Sequence, residues 1–326
     1  MTSVSSIGPG LASSLALEIR DLREQVTRAS KEAATGRYAD LTLELDGRIG
    51  KGMLAQKAVD DINVQREQLV IREGRLDIVQ RSLDTIQELS VGLDARTFNS
   101  IGTGDGIMQE GIARDAQNAL ETAFLNLNAR FGDRFLFSGD ATATPPLGSV
   151  EDLIADITAL VGASATAADF NAAVDAYFDD PAGGWQTNIY NGTATASDSD
   201  SVLAIDPGIT QLIKGLTVLT FAGPSGGLPY NAGNNEVLSA AANTVAGGLS
   251  SFTNMRADLG VIQGRIALEQ NQLEIEETVV TRTFNQLTAR DQYEAAAELQ
   301  ELETNLEASY LLTARLNQLN LLNFIR

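Results

Sequence analysis

Residues 62–93 read INVQREQLVIREGRLDIVQRSLDTIQELSVGL, and their apolar positions fall on two interleaved sevenfold series. Ile62, Leu69, Leu76 and Leu83 recur every seven residues, and Val79, Ile86 and Leu93 fill the second seam position. That spacing is the a/d pattern of helices that pack along one narrow seam. It predicts a long helix from about Met53 to Thr97, on the order of 65 Å at 1.5 Å per residue. Such a helix carries one apolar stripe on a charged cylinder, so it must lie against another helix to be stable.

The same rhythm appears at both ends of the chain. Leu11 and Leu15 open a series that continues through Ile19, Leu22 and Val26 to Ala29 and Ala33. Pro9-Gly10 and Ser13-Ser14 supply start signals there, and Gly36 supplies a stop. In the second half, Leu259, Ile266, Leu273, Val280 and Leu287 recur every seven residues. The last stretch carries Leu299, Leu302, Leu306, Leu312, Leu316, Leu319 and Leu322. Two such ends can bury their stripes in each other within one chain, or against other copies, and periodicity alone does not choose. No longer internal repeat of a solenoid type accompanies the heptads.

The middle has another character. Between Phe135 and Met255, Lys214 is the only basic residue against twelve acidic ones, −11 of the net −20. RFLFSGDATATPPL (Arg134 to Leu147) stops an apolar run at Ser-Gly and closes on two prolines, which marks an exit from the helical part. WQTNIYNGT and SVLAID read as short strands, whereas EDLIADITAL, ITQLIKGLTVLTF and NNEVLSAAANTVAGGLSSF read as short helices. The predicted fold is mainly α: an elongated, coiled-coil-like antiparallel helical rod formed by both chain ends, with a small α+β domain inserted. The expected boundaries are terminal helices at 1–45 and 284–326, rod at 46–134 and 250–283, and an acidic insert at 135–249.

Composition narrows the function. With 23 basic and 43 acidic residues in 326, the chain lacks the basic surface that binds nucleic acid by counterion release or an anionic membrane by attraction. It has no cysteine and no histidine. Disulfides, thiolate chemistry, the usual zinc sites and the commonest general base are thereby removed, so no cofactor, metal site or enzyme is expected. No apolar run reaches the length of a membrane span, and the first residues lack the basic start and apolar core of a cleaved signal peptide. The expected location is cytoplasmic, or outside the cell by a route without a cleaved signal.

Smaller motifs read as structure. GTGDG (Gly102 to Gly106) lacks the Lys-Ser/Thr of a phosphate loop and suits a connector between helices. DSDS (Asp198 to Ser201) lacks the remainder of a calcium loop. The neighbouring pairs Glu276-Glu277 and Asp179-Asp180 point in different directions on a helix and form no catalytic dyad. Trp185 and Tyr190 read as core residues of the insert.

Three segments carry a family resemblance. LDTIQELSV (Leu83 to Val91) resembles the end of the first long helix of the bacterial flagellin superfamily, and YLLTARLNQLNLLNFIR (Tyr310 to Arg326) resembles its C-terminal helix. FLFSGDATATPP (Phe135 to Pro146) resembles the segment of the hook–filament junction proteins, the hook-associated protein 3 family, with Phe135, Leu136, Phe137, Ser138 and Gly139 as its signature. GRYADLTLELDGRIG (Gly36 to Gly50) departs from the turn common in flagellins. The resemblance implies a structural subunit exported unfolded by the flagellar route and assembled as a ring through its terminal helices. Its implied partners are copies of itself, a hook-side junction protein, flagellin and an export chaperone. It implies an extracellular, flagellar location after a transient cytoplasmic stage. Flagellin itself, the filament polymer, is the alternative, and a cytoplasmic coiled-coil scaffold is a second.

Overall fold

The computed structural model describes residues 9–40, 49–224, 228 and 234–324. The chain is mainly α. Its helices are α1 (Pro9–Thr35), α2 (Ile49–Ser90), α3 (Leu93–Thr103), α4 (Gly106–Leu127), α5 (Val150–Ala163), α6 (Ala167–Asp179), α7 (Pro207–Leu219), α8 (Asn234–Thr288) and α9 (Gln292–Phe324). Two short strands, β1 (Arg130–Phe131) and β2 (Arg134–Phe135), form an antiparallel hairpin in which Arg130 pairs with Phe135 and Phe131 with Arg134. Contacts divide the chain into two units, one of residues 1–66 with 271–326 and one of residues 67–270. Helices α2 and α8 contribute residues to both.

In the 67–270 unit the heptad positions do what their spacing predicts. Leu76, Val79, Leu83, Ile86, Leu93, Leu259 and Ile266 are all buried. Polar side chains flank this seam and fix an antiparallel register between α2 and α8. The Gln270 amide donates to Glu73 at 2.8 Å, and the Gln263 amide to Asp77 at 3.0 Å. Arg256 pairs with Asp84 at 2.8 Å, and the Gln87 amide donates to Thr253 at 3.0 Å. As residue numbers rise on one helix they fall on the other. Each exposed polar pair contributes little energy; together they oppose a slip of the seam.

Behind the seam lies a helical core. Helix α4 buries Ile112, Ala116, Ala119, Leu120, Ala123, Phe124 and Leu127, and its alanines leave room for α7 to pack closely. Helix α7 is buried around most of its circumference, which its near-continuous apolar sequence requires. Caps set the other starts: Ser149 accepts from the Asp152 amide, and Thr166 with Asp169 forms a reciprocal capping box. Trp185 is fully buried against Phe178 and Phe124, with ring centroids 5.5 and 6.3 Å away.

The structure corrects several local expectations. The long helix expected to reach Thr97 ends at Ser90, because Gly92 takes a left-handed φ of 82° before α3 begins. The segments expected as strands are not strands: Trp185–Ile189 is a π-helical turn, and residues 201–203 are irregular. Tyr190 keeps one antiparallel bridge, to Leu147. The stretch from Asn234 is no short helix, since α8 runs unbroken to Thr288. Within it, Gly248 is a packing contact whose Cβ would stand 2.8 Å from Leu212 of α7.

GTGDG is a connector, with the Asp105 side chain accepting from the amides of Ile107 and Met108 at the start of α4. DSDS is held by arginines of α2, Asp200 by Arg72 and Asp198 by Arg75 at 3.4 Å. Lys214 lies between Asp175 and Asp179 at 2.5 and 2.8 Å. Burial alone would pull its ammonium down, but the two carboxylates outweigh it and hold it above the ordinary lysine value. Burial also raises the Tyr177 and Tyr190 hydroxyls, that of Tyr190 to about 12.

All three groups keep their protons in the folded state beyond the pH at which the unfolded chain releases them. Their contributions are complete below about pH 10 and fade as pH rises above it. The urea midpoint of this unit, read from the emission of Trp185, the single tryptophan, is therefore expected to fall between about pH 10 and 11. Lys214→Met combined with Tyr177→Phe should flatten that fall.

Candidate assembly interface

Helices α1 and α9 pack on each other in the unit of residues 1–66 and 271–326. They run antiparallel: the Arg23 guanidinium donates to the Tyr310 hydroxyl at 2.6 Å, and Glu32 pairs with Arg290. Along the pair, Leu15, Ile19, Leu22, Val26 and Ala29 of α1 face the seam, with Ala29 buried and the others half-buried. Across it stand Ala295 and Leu302, buried, with Leu299 and Leu306 half-buried. Leu312 faces away and is 55% exposed; Ser309 and Thr313 hold the half-buried positions in that turn. The side chains of Leu11, Leu316, Leu319 and Leu322 lie outside the described residues.

The incomplete burial matters energetically. A fully buried leucine or isoleucine contributes about 1.5–3 kcal/mol, and a half-covered one only part of that. Two helices in contact cover one side of each seam residue and leave the other side to solvent. Leu17 at 60%, Leu311 at 66% and Tyr293 at 90% exposure add apolar surface on the outer sides of the same helices.

A polar clasp, absent from the sequence reading, closes one end of this pair. Glu32 is almost fully buried, pairs with Arg290, and accepts from the Ala39 amide at 2.8 Å. Arg290 also pairs with Glu298 and stacks over Tyr38 with 5.5 Å to the ring centroid. Its backbone amide donates to Gly36 at 2.9 Å, Arg37 bridges Ala289, and the Arg37 guanidinium donates to Asn285 at 2.7 Å. The turn after α1 is thus fastened to the break between α8 and α9. Only Gly36 was legible as a helix stop; an ion pair between residues 32 and 290 has no local signature.

The signature segment sits in the other unit and organises it. Phe137 and Ser138 are buried, Phe135 and Leu136 half-buried, and Arg130 lies 4.8 Å over the Phe135 ring. The Phe137 carbonyl accepts from the Ala204 amide at 3.0 Å, and the Ser138 carbonyl from the Thr193 amide at 3.0 Å. Gly139 has φ 64°, and a Cβ there would stand 2.5 and 2.6 Å from the carbonyls of Thr193 and Thr195. Asp140 next to it accepts from the Ser197 amide at 2.7 Å, which holds its carboxyl below the usual range. FLFSGD therefore pins residues 193–204 against the end of the hairpin.

Among the described residues, no group of three or more metal-ligating side chains could hold a metal ion, and no helix is long and apolar enough to cross a membrane. The catalytic-looking carboxylates have structural partners: Glu277 pairs with Arg66 at 2.5 Å, and Asp180 accepts from the Ala182 amide at 2.8 Å.

Residues 243–325, most of α8 and α9, match the family model of the bacterial flagellin C-terminal helical region. No curated protein matches the sequence. A solved structure from Vibrio parahaemolyticus, described as a flagellar hook-associated protein, aligns over 87% of this chain and 100% of its own at 11% identity. Its TM-score is 0.37, too low to establish a shared fold.

Two substitutions separate the clasp from the signature. Arg290→Met leaves the Glu32 carboxylate buried and unpaired, at a cost of about 3–5 kcal/mol, so amide exchange along α1 and α9 should accelerate while the Trp185 urea midpoint stays fixed. Gly139→Ala combines a left-handed φ with two carbonyl clashes, so the unfolding free energy reported by Trp185 should fall by about 3 kcal/mol or more while α1 and α9 exchange is unchanged.

Proposed function

We propose that this chain is a structural subunit of the bacterial flagellum that joins hook to filament, in the manner of the hook-associated protein 3 family, and that it is not an enzyme. The observation that carries the flagellar reading is the match of residues 243–325 to the flagellin C-terminal helical region. The half-covered α1–α9 seam supports assembly through the chain ends, since further copies would supply the missing cover. On this reading residues 1–45 and 284–326 form the assembly portion, 46–134 and 250–283 the helical support, and 135–249 an outward domain. The junction role rests on the resemblance of Phe135–Gly139 and the loop after it.

The chain is exported unfolded, with an export chaperone as its cytoplasmic partner, and then meets a hook-side junction protein below and flagellin above. Absence of cysteine suits that route, since no disulfide has to form after export. The family model that matches is itself a flagellin one, which favours the filament subunit as the second reading. A filament subunit makes a head-to-tail contact that propagates without limit, whereas a junction subunit binds different proteins at its two ends.

Deletion of the gene distinguishes them. Cells without the chain should build hooks, lack filaments and shed flagellin into the medium, and the purified protein should not elongate into long filaments at high concentration. Long homopolymeric filaments of this protein alone would assign it to the filament instead.

A further inference from the structure

Three arginines converge where helix α2, the end of the hairpin and the DSDS loop meet. Arg72, Arg75 and Arg134 line a cavity of about 40 Å³ together with Asp198 and Asp200. Leu76, Val79, Phe135 and Leu136 give it apolar surface, and Thr142 and Ser201 each bring a hydroxyl. The arginines are not equally committed. Arg72 bonds the Asp200 carboxylate, and that bond is the main reason the carboxyl sits below its usual range and the guanidinium above its own. Arg75 reaches Asp198 only at 3.4 Å, through one terminal nitrogen. Its Nε–H is sealed from solvent and has no hydrogen-bond partner among the described residues. A donor left in that state is costly, and a native fold rarely keeps one without a reason.

Donors exceed acceptors in this wall. It holds three guanidinium groups against two carboxylates, and both carboxylates already accept from arginines. Farther out, Asp140 acts on Arg134, Glu269 on Arg72 and Arg265 on Asp200. Those groups bring the surroundings to neutrality without adding an acceptor for the Arg75 Nε–H. A water accepts from Nε but brings two hydrogens that need acceptors of their own. A monatomic anion accepts from several donors at once, tolerates apolar neighbours, and fits a space of this size. A tetrahedral oxyanion does not fit it.

We propose that this cavity binds one halide ion, chloride in ordinary salt solutions, which accepts from the Arg75 Nε–H while Arg72 and Arg134 complete its positive surround. The ion ties three segments together: α2 through Arg72 and Arg75, the hairpin through Arg134, and the DSDS loop through the carboxylates that the α2 arginines hold. It binds only when those segments have met, so it stabilises the folded state of residues 67–270. The site goes beyond the flagellar reading and does not depend on it.

The test uses the full chain and follows the urea unfolding of this unit through Trp185 emission. Chloride is exchanged for gluconate, an anion too bulky for the cavity, at constant ionic strength so that general screening does not change. The folded-to-unfolded ratio should climb saturably with chloride, by about tenfold once chloride stands about tenfold above its Kd. Arg75→Met removes every donor of that side chain, and its ratio should not respond to the exchange. Crystals of the unaltered chain grown in bromide locate the ion directly, with an anomalous peak expected within hydrogen-bonding distance of Arg75 Nε. That arm decides the matter even where Arg75→Met does not fold. A ratio that ignores chloride or rises without saturating, a response that Arg75→Met retains in full, or a water where the bromide peak is expected overturns the site.

Discussion

A stripe of leucine-sized residues every seven positions cannot be hidden by the helix that carries it, and that constraint shapes both units of this chain. In the 67–270 unit the stripe of α2 finds α8, with the rest of the helical core behind it, and Leu83, Ile86 and Ile266 lose essentially all contact with water. In the other unit the stripe of α1 packs on α9, and among the described residues most of its positions stay half-covered. The same pattern thus gives a finished core in one place and an unfinished one in the other. Chemistry does not explain that difference, because the seam residues are of the same kinds. What differs is the number of helices available to surround them.

Polar contacts decide where those helices start, stop and align. The Arg256–Asp84 and Gln263–Asp77 pairs set register between helices that apolar contact alone would let slide. The Glu32–Arg290 pair belongs to another class. Buried charges are costly to bring together and more costly to separate, so the clasp adds little net stability while fixing how the α1 turn meets the α8–α9 break. Gly139 plays the comparable part in the other unit, where a backbone conformation and a lack of space leave no room for a side chain.

What was legible in the sequence follows from range. The heptads picked out Ile62, Leu76, Val79, Leu83 and Ile86 of α2 and Leu259 and Ile266 of α8, all buried, because periodicity is a property of a single helix; they did not reach Val237, Leu238, Val245 and Phe252, which α8 buries ahead of that series. The connector at Gly102–Gly106 was equally clear from local turn chemistry. The helix stop at Gly92 was missed, since a glycine breaks one helix and, as at Gly248, lets another pack closely, and only the neighbour decides which. The π-helical turn at Trp185–Ile189 looked like a strand because Trp, Ile and Tyr favour strands wherever burial does not override them. Of the residues the sequence singled out at the chain ends, Leu15, Ile19, Leu22, Val26, Leu299, Leu302 and Leu306 lie on the α1–α9 seam, whereas Leu312 is exposed. The clasp could not be read at all, since its partners are brought together only by the pairing of the chain ends.

Position in the cell tests the central claim most directly. With the chain tagged in the exposed loop after Gly132, between the two strands of the hairpin, immunogold labelling of intact flagella should give one narrow band at the boundary between hook and filament. Label distributed along the whole filament, or confined to the cell interior, would contradict the account.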